Sequence, residues 1–247
     1  MVSQMFSVDD ASRIIELTSN SKTYPEQLSA LASLLASYQP TRYLEIGAFE
    51  GRSLGLFSML SSSLYDSKLH ITSVDSWQGG DEHKASDFDI SSAESRYDCV
   101  AKICSEALAG RLKVEKIKSL SRRALAALAD REGFYDLILV DAGHKAKDVL
   151  EDLVFSWPLL REGGLLILDD YTWIPKHSVQ GNILLESPKM GIDSFLNCFA
   201  DELALLTNLP LLQLYVLKQN PLPAQSHYQG VRSIQVPDPL SSLARLL

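Results

Sequence analysis

Apolar positions along residues 7–38 recur at helical spacing and predict two helices. The first stretch, "SVDDASRIIELTSN", opens with Ser7 as a cap and Asp9-Asp10 in the first turn, where the helix dipole favours anions. The second, "YPEQLSALASLLASY", has Pro25 near its start and Leu28, Leu31, Leu34 and Leu35 on one face, and Pro40 stops it. From residue 42 the pattern changes to short, continuous apolar runs separated by amphipathic ones. Strands are expected over 42–48, 69–77, 111–119, 135–142, 164–170 and 211–218. Helices are expected over 53–61, 93–108, 122–129, 147–160 and 192–204. Strands of this kind between helices imply a mostly parallel sheet covered on both faces. Segments 77–92 and 171–190 are long polar or Pro-containing connections, a length typical of functional lids or of disordered segments. The proline-rich tail after Asn220 reads as irregular.

Composition narrows the function classes. A chain of 247 residues with 46% hydrophobic and 22% charged content suits one large α/β domain. A net charge of -8 argues against a nucleic-acid partner, which needs a basic face. Cys99, Cys104 and Cys198 form neither a CxxC pair nor an even framework, so reduced thiols and a cytoplasmic setting are expected. "MVSQMFSVDD" lacks the pattern of a signal peptide, and no apolar run is long enough for a membrane span. The leucine-rich N-terminal face suits a homo-oligomer as readily as the core.

In an open parallel sheet, ligands bind outside the carboxyl ends of the strands. The first strand ends in "EIGAFEGRS", residues 45–53, where Gly47 and Gly51 permit a tight turn and close backbone approach. Their spacing is GxxxG, so the dinucleotide fingerprint GxGxxG is absent. The second strand ends at Asp75, where a carboxylate can accept the hydroxyls of a ribose. Together these point to an adenosine-type cofactor. Two later strands end in bare carboxylates: Asp141 in "LILVDAGH", and Asp169 and Asp170 in "LLILDDY".

"LEIGAFEGRS", "SVDSW", "LILVDAGH" and "LLILDDY" together resemble the class I S-adenosylmethionine-dependent methyltransferases over roughly residues 40–220. The pattern is most similar to the metal-dependent O-methyltransferases of the catechol and the macrocin- and novobiocin-type sugar groups. That resemblance implies a Rossmann-like, doubly wound, mostly parallel seven-stranded sheet with an antiparallel last strand. It implies a methyltransferase domain over 41–220, preceded by a helical extension or lid over 1–40 and followed by an irregular tail over 221–247. Glu45, Gly47, Gly51 and Ser53 match the loop holding the methionine part of S-adenosylmethionine, Asp75 the residue on its ribose, and Ser121 the adenine pocket. Asp141, expected at that cofactor site too, matches a metal ligand together with Asp169 and Asp170.

Physical chemistry supports such a metal. Three crowded carboxylates repel, and each resists ionisation without a compensating charge. A hard dication supplies it, and all-oxygen ligation suits Mg2+. His144 stands where the catechol enzyme has a lysine base, and imidazole titrates near neutral pH, so it is the expected base with Lys145 as substitute. Trp77 suits stacking on adenine or a structural role, and His83, Trp173 and His177 lie in the two long connections. Segment 171–190 and the N-terminal helices are expected to cover the acceptor. The acceptor expected is a small-molecule hydroxyl, a sugar or natural product rather than a catechol, given the Asp-Asp pair. The rival readings are a non-catalytic cofactor-binding protein of the same fold and a metal-independent methyltransferase. A base-modifying methyltransferase is disfavoured by "DAGH" where Asn/Asp-Pro-Pro-Tyr belongs, and a nicotinamide oxidoreductase by the missing glycine fingerprint.

Overall fold

The helical periodicity at the N-terminus becomes α1 (Val8–Leu17) and α2 (Pro25–Tyr38) in a computed structural model describing residues 6–80, 90–175, 182–221 and 231–236. Ser7 caps α1 through a reciprocal pair with Asp10, the side chain of each meeting the backbone N–H of the other. Pro25 sits in the first turn of α2, and Gln39 closes that helix in the left-handed conformation. Thereafter β1 (Arg42–Ile46), α3 (Arg52–Leu64), β2 (Leu69–Asp75), α4 (Ala93–Ala107), β3 (Leu112–Lys118), α5 (Ser121–Ala127) and β4 (Tyr135–Val140) alternate. They are followed by α6 (Ala146–Ser156), β5 (Leu160–Leu168), α7 (Pro188–Cys198), β6 (Leu203–Thr207), β7 (Leu214–Lys218) and β8 (Arg232–Gln235).

The strands form one sheet in the order β3-β2-β1-β4-β5-β7-β6-β8. β7 runs antiparallel to β5 and β6, and the other pairings are parallel. This is the doubly wound, Rossmann-like fold that the sequence leads one to expect, with eight strands among the described residues instead of seven. The expected helix over 192–204 is shorter: α7 ends at Cys198, and the chain then enters β6. Part of the C-terminal tail is ordered rather than irregular, because β8 pairs with β6 from Ala204↔Arg232 to Thr207↔Gln235. β5 begins earlier than expected, since Pro158 sits in a short 3-10 turn that delivers Leu160 straight into the strand.

Strand alternation sorts the core into two layers. Leu137 and Leu139 of β4 join Tyr43, Ile71, Leu165 and Ile167 beneath α1–α4, packed with Ile14, Leu34, Leu54, Phe57 and Val100. Ile138 and Val140 face the other way, with Leu125, Val149, Leu153, Ile192 and Phe195 of α5–α7. α1 and α2 therefore belong to the main core, since Ile14, Leu34 and Leu35 are almost wholly buried in it. Burying each such side chain contributes about 1.5–3 kcal/mol. Cys99, Cys104 and Cys198 are all unpaired. Among the described residues no helix is long and apolar enough to cross a membrane.

Strand order reverses between β1 and β4, and a crevice must open there above the carboxyl ends.

Candidate active site

A cavity of about 1460 Å3 occupies that crevice. Its central wall is the turn after β1. Gly47 adopts φ +96, and a Cβ there would lie 1.9 Å from the Asp141 carbonyl oxygen, so only glycine lets β1 and β4 approach this closely. The Asp75 carboxylate then organises the turn: Oδ2 accepts from the backbone N–H groups of Ala48 and Phe49 at 3.0 and 2.8 Å, and Oδ1 from that of Trp77 at 2.7 Å. Trp77 ties the two loops together by donating its indole N–H to the Phe49 carbonyl at 2.7 Å. Gly51 caps α3 in the left-handed conformation, which sets Ser53 in the first turn, on the cavity wall. Phe49, Trp77 and Asp170, all lining the cavity, also hold positive φ. Such conformations cost free energy and concentrate at functional sites.

Glu45 and Gly51 are not among the side chains lining the cavity. Glu45 is buried one layer below, accepting from Ser73 Oγ at 2.5 Å and Tyr43 OH at 3.4 Å. Burial pushes its carboxyl up to about 8, with the Ser73 and Tyr43 hydrogen bonds opposing and Asp75 adding to the rise. Ser121 opens α5 on the far wall and bonds the buried Asp152, whose carboxyl burial pushes up to about 7.

Asp141 and Asp169 are brought together. They follow the paired residues Val140 and Leu168 of adjacent strands, and both line the cavity. Removal from water, then the charges of Asp169 and Asp170, hold the Asp141 carboxyl well above the usual carboxylate range. Burial and Asp170 raise Asp169 to about 6, opposed first by a hydrogen bond from Gln213. Gln213 in turn accepts from Tyr215 OH at 2.8 Å. The sequence pattern does not mark Gln213, which reaches the site only because β7 pairs with β5.

Asp170 turns aside: its Oδ2 lies 2.9 Å from His144 Nε2, and the His144 ring packs 4.3 Å from that of Trp173. Among the described residues no group of three or more His, Cys, Asp or Glu side chains has the arrangement of a metal centre. Lys145 N-caps α6 and is not among the cavity-lining residues. His83 and His177 lie outside the described residues.

A third wall comes from the N-terminal segment, with Asn20 to Tyr24 and Gln27, Leu28 and Leu31 of α2. The nearly inaccessible Glu50 holds it down by accepting from Asn20 N at 3.2 Å and Asn20 Nδ2 at 2.7 Å. Arg52 donates to Thr18 Oγ1 at 3.1 Å, and Arg96 to the Leu17 carbonyl at 3.2 Å.

Residues 44–171 match a family model described as a methyltransferase domain. The chain belongs to that family. No curated protein matches the sequence. Solved structures with the same fold include the O-methyltransferase TomG from Streptomyces achromogenes, involved in tomaymycin synthesis and solved in complex with S-adenosylmethionine. It is 16% identical, with a TM-score of 0.58, covering 87% of this chain and 92% of TomG. An O-methyltransferase from Bacillus cereus, in complex with S-adenosylhomocysteine, is 16% identical with a TM-score of 0.58 over 86% of this chain and 92% of its own. The Podospora anserina methyltransferase PaMTH1, also bound to S-adenosylhomocysteine, is 15% identical with a TM-score of 0.56 over 89% and 91%. This methyltransferase thus places its expected cofactor loop and its acidic strand ends on one crevice.

Proposed function

We propose that this methyltransferase transfers the methyl group of S-adenosylmethionine to a hydroxyl of a small molecule, assisted by a divalent cation. The observation that carries the reading is the convergence of Asp141 and Asp169, which leave paired residues of β4 and β5 and line one cavity beside the turn after β1. The turn fits the cofactor. Ser53 sits in the first turn of α3, where unpaired N–H groups and the helix dipole attract a carboxylate. Asp75 lines the cavity and keeps acceptor capacity for ribose hydroxyls, since a carboxylate has about four lone-pair sites. The far wall at Ser119 to Ser121 receives the adenine. Structural relatives that carry this cofactor or its product support the assignment.

The two carboxyls fit a hard cation. Two carboxyls crowded at one rim repel, and a dication would relieve that repulsion with all-oxygen ligation suited to Mg2+. Asp141 and Asp169 would hold it, with Asp170 beside them and Gln213 fixing the Asp169 carboxyl. Such a cation lowers the pKa of a bound hydroxyl. S-adenosylmethionine supplies an electrophilic methyl on a sulfonium, and in-line displacement rewards alignment of donor and acceptor.

The chain's own residues then set orientation and move the proton. Asp170 holds His144 by Nε2, and Trp173 packs against its ring, so the imidazole is kept at the acceptor side of the crevice. His144 takes the acceptor proton as general base. The same His144–Asp170 pair also favours a second reading, methyl transfer without a cation.

Calorimetry with S-adenosylhomocysteine, with and without EDTA and Mg2+, followed by labelled-methyl transfer to a panel of hydroxyl acceptors, tests both. Absence of cofactor binding removes the methyltransfer reading. Cofactor binding and turnover that both ignore EDTA select the cation-free version.

A further inference from the structure

The cavity is larger than one ligand requires: small-molecule sites span about 300–1,000 Å3, against about 1460 Å3 here. Part of it lies on the side of the sheet that faces α2 and α3. Side chains alternate along a strand, so Leu137, Leu139 and Asp141 share one face of β4, and Ile167 and Asp169 share that face of β5. The register puts Leu139 opposite Ile167, directly beneath the two carboxyls. All five of these side chains line the cavity. Leu28 and Leu31 of α2 and Leu56 of α3 line it from above. Leu28 and Leu56 belong to neither core cluster, and Leu28 is 37% exposed. Two large aliphatic side chains therefore face the cavity instead of packing into the protein interior.

Resting on the methyltransfer reading above, we propose that this pouch between α2 and β4–β5 binds the apolar body of the acceptor. The acceptor is then an amphiphilic hydroxyl compound, such as an alkyl-substituted phenol or diol, and not a free sugar. The argument is one of continuity. Cofactor groups are assigned to the β1 and β2 ends, leaving the β4–β5 side of the strand-order reversal for the second substrate. A molecule whose hydroxyl meets Asp141 and Asp169 finds Leu31, Leu56, Leu139 and Ile167 among the walls on this side, with Gln27 and Arg52 also lining it. A sugar would leave its other hydroxyls unpaired against Leu31, Leu56, Leu139 and Ile167, which is costly. An alkyl or aryl group gains by burial instead.

The test is direct binding of 4-alkylcatechols, from methyl to hexyl, to the full chain, first alone and then saturated with S-adenosylhomocysteine and Mg2+, with methyl glucoside as comparator. Affinity should rise about fourfold per methylene, the equivalent of about 0.8 kcal/mol per buried CH2. Methyl glucoside should bind more weakly than any member of the series. Leu31→Asn should flatten the chain-length slope. Leu28→Trp, at a more exposed position that tolerates bulk, should cut off the longer members while keeping the shorter ones. Affinities that ignore chain length, or slopes that both variants leave untouched, overturn the pouch. Failure of S-adenosylhomocysteine to bind overturns the methyltransfer reading instead, and the alkyl series on the protein alone still reports on the pouch.

Discussion

Single side chains hold the crevice open at two depths. At its rim, Gly47→Ala puts a methyl within 1.9 Å of the Asp141 carbonyl and forces a non-glycine residue to φ +96. Strain and overpacking together should cost about 3 kcal/mol, read by denaturant unfolding, and S-adenosylhomocysteine binding should disappear in calorimetry. A variant as stable as the parent would show that β1 and β4 have room to separate. Gln213→Leu removes the donor that holds the Asp169 carboxyl. On the proposed cation reading, loss of such a supporting group costs about tenfold or more in cation affinity, so a Mg2+ titration should weaken by that factor while the melting temperature barely moves. At the opposite end of the sheet, Asp136 accepts from Arg42 Nη2 at 2.8 Å, Arg161 Nε at 2.7 Å and the Thr41 and Arg42 amides. Burial alone would raise its carboxyl; the two guanidinium groups and two amides outweigh burial and hold it far below the usual range. A depressed folded value gives stability that is fully present above the unfolded pKa of about 3.9 and is lost as the pH falls toward the folded one. Asp136→Asn should therefore cost about 2 kcal/mol at neutral pH, with the gap to the parent narrowing below pH 4. A gap that stays constant down to pH 3 would locate the loss in packing, not charge.

Elements, more than residues, decide what the sequence reveals. The β1 to β5 strands and the helices between them are legible because each buries a continuous apolar run or an amphipathic face, a pattern carried by neighbours in the chain. β6 is not, because "LALLT" is made largely of good helix formers and becomes a strand only by pairing with β7. β8 escapes for the same reason, its partner being β6. The candidate site divides likewise. Asp75, Asp141 and Asp169 stand out in the sequence as charge at the ends of apolar strands, and Gly47 and Gly51 as punctuation. Gln213, Glu50 and the Asp170–His144 contact depend on segments far apart in the chain, and no local signal encodes them. Glu50 shows the consequence at the level of an element, since it fastens the turn after α1 to the body through Asn20. Glu50→Ala removes both hydrogen bonds from Asn20 to a charged acceptor, at a cost of about 1.5–3 kcal/mol. Hydrogen exchange should then quicken across residues 8–24 while β1, β4 and β5 keep their protection. Uniform quickening throughout the sheet would mean that Glu50 supports the whole fold and not the N-terminal wall.

Across the whole molecule the sheet divides at β5. β3, β2, β1, β4 and β5 carry the crevice at their carboxyl ends, whereas β7, β6 and β8 extend the sheet beyond it, with Gln213 just before β7 as the described link back to the acidic pair. β8 contributes one pairing edge and, just beyond it, Val236, which is 7% exposed in the main core and donates its N–H to the Thr207 carbonyl. Ending the chain after Pro221 removes both. Loss of Val236 burial should cost about 2 kcal/mol, and β6 becomes an open edge, a template for pairing with another chain. The shortened protein should therefore unfold earlier and self-associate in a concentration-dependent way by light scattering. Its affinity for S-adenosylhomocysteine should nevertheless match the parent, because the proposed cofactor positions at β1 and β2 are separated from β6 by β4, β5 and β7. A truncated chain that associates no more than the parent would show that β6 is protected by its own twist or charge. One that loses cofactor affinity would show that the strands beyond β5 set the geometry of the crevice as well as its stability, and the division of the sheet into a chemical half and a supporting half would have to be abandoned.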